Sequence, residues 1–203
     1  MHSKHQANKA INTYTCTHGK SGCLYILLNA IDWANLKQAH GTSAHVPDAL
    51  RGLVSDDPEI QKSAYWKLDN FIVLQSDLFE SAYFVVPFLV EILTSQPQTD
   101  LRYIYDLLFE IGNGSAPESQ RCYHKGVSLS LKAACRQAVA DAVNVYLSEV
   151  GNLQSKYRLN ALDLLVSWHE FKHGILPTLE RLYRIEQGSD FGAELKRAIS
   201  DLQ

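Results

Sequence analysis

The stretch DDPEIQKSAYWKL and the three residues after it place Ile60, Ala64, Leu68 and Phe71 three and four positions apart, and the same period returns in Leu101, Ile104, Leu108 and Ile111. Such spacing gives a helix with one buried stripe and leaves little freedom for another fold class. The helix boundaries are equally legible. Asp57 can cap a first turn, Pro58 has the fixed φ suited to the first helical position, and Glu59 favours the positive end of the helix dipole. Thr99 or Asp100 can start the second of these helices, and Gly112 with Gly114 closes it. Asn152 to Ser155 separates a long helix from one beginning near Lys156, Gly174 with Pro177 marks the next boundary, and Gly188 with Ser189 precedes a last helix ending in Asp201. Apart from residues 24–28, hardly anything alternates with period two. The expected fold class is therefore all-α, built from helices joined by short turns.

Two stretches, DDPEIQKSAYWKL and KYRLNALDLLVSW, each have a polar start and a small Ala about seven residues in, flanked by apolar side chains. That pattern favours a solenoid of stacked helical hairpins, right-handed and HEAT/ARM-like, over a closed bundle. At 203 residues the chain has the length of one ordinary domain. Residues 1–22 are polar without an apolar period and read as a flexible leader, with a single helical domain over 23–203.

The run DWANLKQAHGTSAHVPDALRGLVSDDPEIQKSAYWKL, followed by VVPFLVEIL and LLFEIGNG, resembles a group of bacterial HEAT-repeat-like proteins. The resemblance rests on Asp32, Trp33, Leu36, Gly41, Val46, Pro47, Ser55, Asp57, Pro58, Val86, Pro87, Phe88 and Leu89, and it covers roughly residues 31–114. It implies an α-solenoid and no particular activity, because that group has no established common one. Where its members tend to carry H-Q-G, this chain has Leu74, Gln75 and Ser76, so no role of that histidine carries over.

Composition narrows the function classes. Hydrophobic residues make up 46% and charged residues 20%, within the globular range. A formal charge of -3 supplies no general field to gather phosphates, and no local basic patch is evident, so nucleic acid is not an expected partner. The four cysteines, Cys16, Cys23, Cys122 and Cys135, are sparse and irregularly spaced, which suits reduced thiols. The apolar run Cys23 to Ile31 is about half the length needed to span a bilayer. As a secretory signal it would start late and lack a small-residue cleavage site, so a cytoplasmic protein with no membrane role is expected.

The most chemical-looking stretch is HEFKH, residues 169–173. On a zincin helix, His at i and i+4 share one face and bind Zn²⁺ while the Glu polarises the bound water. His169, Glu170 and His173 have that spacing, and Glu194 is the available third ligand, with Glu186 and Glu180 nearer in sequence. Against this, Lys172 puts an ammonium inside the motif, no sheet is expected to hold a peptide along its edge, and Gly174 with Pro177 should end the helix at once. The reading adopted places His169 and His173 at the edge of an amphipathic helix whose core side holds Tyr157, Ala161, Leu164, Trp168 and Phe171.

Other chemistry lacks an anchor. HGKSG carries the G-K-S of a phosphate loop, but the glycine required five positions before Gly19 is replaced by Tyr14. Cys16, His18 and Cys23 do not have the spacing of a structural zinc site. There is no G-x-S-x-G, and Cys122 and Cys135 are expected in helices as small apolar residues. No cofactor and no metal are expected.

What remains is surface. Tyr103, Asp106 and Glu110 fall opposite the core stripe of their helix, Tyr65 and Asp69 lie to one side of Ile60, Ala64 and Leu68, and Asp163 and Glu170 are disposed alike on a later helix. Lining the inner wall of a solenoid, these seven residues would form an acidic strip bearing tyrosines, suited to recognising a protein. The expectation is a non-enzymatic protein-binding solenoid, for instance an immunity protein or scaffold with one protein partner. The alternatives are a zinc-dependent hydrolase using HEFKH and a DNA-binding or repair HEAT-like protein.

Overall fold

A computed structural model describes residues 27–95 and 100–203. The leader, with HGKSG and the Cys16, His18 and Cys23 set, lies outside those residues, as does Thr99. Backbone packing divides the chain into two compact units, Met1–Val139 and Ala140–Gln203. The architecture is all-α with short hairpins, and no described helix is long and apolar enough to cross a membrane.

In the first unit, helical residues 27–30 and 3-10 turns at Trp33–Asn35 and Ser43–His45 precede α1 (Val46–Gly52), α2 (Pro58–Ile72), β1 (Val73–Leu74), β2 (Asp77–Leu78), α3 (Glu80–Ser95) and α4 (Arg102–Asn113). It continues through β3 (Arg121–His124), β4 (Val127–Ser130) and α5 (Leu131–Ala140). Asp57 caps α2, its carboxylate accepting from the Glu59 N–H at 2.9 Å, and Pro58 takes the first helical position. α3 is buried almost all round, as its continuous apolar run requires, and Pro87 sits inside it. Trp33 packs at 6.0 Å from Phe88, its indole N–H bonded to the Leu28 carbonyl at 2.8 Å.

The stripe of α2 departs from expectation. Its buried residues are Gln61, Ala64, Leu68 and Ile72, whereas Ile60 is 51% exposed and Phe71 half-buried. The helix is turned because the Gln61 amide donates to two backbone carbonyls, Leu53 at 2.9 Å and Asp100 at 3.0 Å, which makes burial of a polar side chain affordable.

Two hairpins that sequence periodicity did not indicate join helix to helix. β1 pairs with β2 and β3 with β4, each antiparallel across a two-residue turn. Both central residues of each turn have positive φ: Gln75 51° and Ser76 67°, then Lys125 48° and Gly126 83°. That is the type I′ pattern matched to strand twist. Ser115 also bonds back to the first hairpin, its N–H to the Ser76 carbonyl at 2.7 Å and its carbonyl to the Leu78 N–H at 2.6 Å. Ser76 adopts a left-handed conformation that costs a residue with a Cβ about 1 kcal/mol. Ser76→Gly should therefore stabilise the protein by about 0.5 kcal/mol after glycine's own entropy loss, measured by urea unfolding; a loss of stability would refute this.

The second unit holds α6 (Val143–Val150), α7 (Arg158–Val166), a 3-10 turn (His169–Phe171), α8 (Lys172–Ile185) and α9 (Asp190–Leu202). The long helix expected before Asn152 is thus two, α5 and α6. Tyr157, Ala161, Leu164 and Trp168 are buried as expected and Phe171 is half-buried, but they do not share one helix. α7 stops at Val166, where the Ser167 hydroxyl bonds back to the Leu164 carbonyl at 2.8 Å. Gly174 and Pro177, expected as a boundary, lie within α8. At the head of α7, Arg158 donates from Nε to the Val150 carbonyl at 2.8 Å, pairs with Glu186 through both terminal nitrogens, and lies 3.6 Å from the centre of the Phe191 ring.

Candidate functional site

The five first-unit residues of the acidic strip meet on neighbouring helices, α2 and α4. The rings of Tyr65 and Tyr103 are 4.9 Å apart and inclined by 31°, and Trp66 meets Tyr65 edge-on at 4.9 Å. The Tyr65 hydroxyl donates to Asp69 at 3.4 Å. α4 brings Asp106 and Glu110 onto the side of the helix that carries Tyr103, opposite its buried Ile104, Leu108 and Ile111. Trp66 is 48% and Phe109 39% exposed, so large aromatic surface flanks the carboxylates.

Charge is concentrated here. Partial burial raises Asp69, while its bond from Tyr65 lowers it. Burial again raises Asp106, with Arg102 opposing and Asp100 and Asp69 adding to the rise. Glu110 is raised by burial and by the fields of Asp69 and Asp106. The Tyr65 hydroxyl is raised by burial and by Asp69, Asp106 and Glu110, and so stays protonated. Arg102 is bonded through Nε to both oxygens of Asp100, at 3.0 and 3.1 Å, at the edge of this cluster.

A carboxyl whose folded-state pKa lies above its unfolded value binds its proton more tightly when folded. Its effect on stability is least favourable when both states are ionised and improves as pH falls through the raised pKa. Asp106→Asn should therefore raise the unfolding temperature by about 1–3 °C at neutral pH, on the scale of a partly screened surface charge. The gap from the parent should close as pH falls through the window just above the ordinary carboxylate range. A variant less stable than its parent at neutral pH would contradict the charge crowding.

Asp163 and Glu170 are not brought together in the expected way. Both belong to the second unit, but Asp163 lies on α7 while Glu170 falls in the following 3-10 turn, beyond the end of that helix. Asp163 is raised by burial and by Glu194, with Arg197 opposing. Glu194 is ion-paired with Arg197.

HEFKH also changes character. His169 belongs to the 3-10 turn and His173 to the first turn of α8, so the i, i+4 alignment of one continuous α-helix is not formed. Among the described residues, no three His, Cys, Asp or Glu side chains come together as a metal-binding group. Cys122 lies in β3, not in the helix expected, and Cys135 lies in α5; both are buried and neither is in a disulfide. Burial pushes the Cys135 thiol well up, away from the reactive thiolate.

Sequence reasoning missed an open cavity of about 620 Å³ along α1 and α2, with Ala49, Gly52, Ile60 and Phe71 as apolar lining and His45, Glu59 and Lys67 among its polar residues. The His45 ring is held there, at 2.9 Å from the Lys67 carbonyl and edge-on to Phe71. Exposed Ile60 was the available signal, concealed by its reading as a core residue. Compared with models of known families and with curated proteins, the chain matches none.

Proposed function

We propose that this protein is a non-enzymatic, HEAT-like α-solenoid that binds one protein partner through the face shared by α2 and α4, as an immunity protein or scaffold of the bacterial cytoplasm would. The observation that carries the reading is the convergence of Tyr65, Tyr103, Asp69, Asp106 and Glu110 from two helices. Crowded like charges, with Asp69 and Glu110 half-buried and Asp106 exposed, work against folding, so a role outside the fold explains them better than a structural one does. Aromatic rings add contact area at low entropic cost, and carboxylates select a basic partner. HEFKH gives the hydrolase reading little support once its letters divide between two elements, and an acidic face gives none to DNA binding.

The test is affinity capture from the source cells with the full chain and with the Asp106→Lys/Glu110→Lys variant. Circular dichroism should show the variant's helices intact. A partner held by the parent and weakened at least about a hundredfold by the double reversal is the expected result, at several kcal/mol for juxtaposed like charges. Retention of the same partner by the folded variant would overturn the assignment of this face.

A further inference from the structure

We infer that the α2/α4 face is built for arginine: a guanidinium of the partner lies against the aromatic surface of Tyr65, Trp66 and Tyr103, its N–H groups turned toward Asp69, Asp106 and Glu110. This deepens the protein-binding reading and rests on it.

The three carboxylates are near enough for their fields to overlap, yet they do not converge as a group that could hold a single metal ion. A point cation has no centre to occupy. A guanidinium is flat, spreads its charge over five N–H donors, and sheds water more easily than an ammonium, so it can answer several carboxylates set apart. Its flat face also stacks on aromatic rings, and two inclined tyrosine rings 4.9 Å apart, with a half-exposed tryptophan beside them, supply such a surface. Arg102 shows that this edge already accommodates a guanidinium; its Nε is bonded to Asp100 and its field reaches Asp106, while Asp69 accepts only a neutral hydroxyl, from Tyr65, so three acids share one internal guanidinium that is bonded to a fourth. A purely apolar partner would bury those acids without a counterpart, which is costly.

The probe is a fluorescein-labelled peptide in which arginines alternate with glycine and serine, compared with versions carrying lysine or citrulline. Polarisation titrations use the full chain at low and at physiological salt. The arginine peptide should bind about tenfold more tightly than the lysine peptide, the scale of one desolvated cation–π contact, and the citrulline peptide should not bind. Tyr103→Leu should reduce the preference for arginine over lysine while leaving salt dependence in place. Tyr65→Phe, which keeps the ring, should retain that preference, and Asp106→Asn/Glu110→Gln should weaken both cationic peptides. Equal binding of arginine and lysine, binding indifferent to Tyr103→Leu or to the double neutralisation, or no binding of the arginine peptide would each overturn the inference. A captured partner that is lost on charge reversal but cross-links to this face through residues other than arginine overturns the arginine assignment and leaves protein binding standing. A partner indifferent to reversal removes both.

Discussion

Arg158→Ala should unfold much of the second unit's packing, at a cost of about 3–5 kcal/mol, because it strands the Glu186 carboxylate without its partner. Both side chains are only 11% exposed. Arg158 is also more than half of an ion pair: it reaches the last carbonyl of α6 at Val150 and covers the Phe191 ring of α9, so three elements lose an attachment together. Hydrogen exchange read by mass spectrometry on peptides from residues 143–202 checks this. Exchange protection should fall by the equivalent of several kcal/mol, and adding Glu186→Gln should restore part of it by removing the orphaned charge. Arg158→Lys should rescue poorly, since an ammonium can neither fork across both carboxylate oxygens nor lie flat on a ring. Protection unchanged in Arg158→Ala would show the pair to be incidental.

Gly192→Ala carries the second large effect, with a sign opposite to that of helix propensity. Alanine is ordinarily about 1 kcal/mol better than glycine inside a helix. At this position, however, a Cβ would stand 2.1 Å from the Glu186 carbonyl oxygen and 3.3 Å from the Ser189 hydroxyl. The same carbonyl accepts from the Ser189 N–H and hydroxyl, and that hydroxyl accepts from the Gly192 N–H at 2.9 Å, so the first turn of α9 has little room to retreat. A net loss of about 1–3 kcal/mol is expected, as for overpacking elsewhere. Urea unfolding followed by circular dichroism measures it, and a stability gain would mean that the junction is looser than its geometry implies.

Helix placement was legible wherever short-range chemistry decides it. Asp57, Pro58 and Glu59 announce α2, Ser189 announces α9, and the stripe Leu101, Ile104, Leu108 and Ile111 is buried as its period requires. Long-range contacts hid the rest. Gln61 is buried because two carbonyls from distant segments meet its amide, and a periodicity count sees only a polar residue beside an apolar Ile60. Of the four-residue strands, β4 does alternate as Val-Ser-Leu-Ser, but β3, Arg-Cys-Tyr-His, does not, so the pair left only half a signal, although Lys125-Gly126 had the makings of their turn. Five residues of the candidate face could be named in advance because helix geometry alone places them on outer sides. Asp163 and Glu170 failed as a pair because their alignment assumed a helix that ends at Val166.

Ser115 ties itself to the first hairpin using main-chain atoms alone. These bonds take no account of the Ser115 side chain: nearly any residue with an amide N–H could stand at that position and keep the alignment. Drift at position 115 alone would leave the joint's shape in place, whereas its neighbours stay constrained, Ser76 by its positive φ and Gly114 by Leu78, which an added Cβ would meet at 2.7 Å.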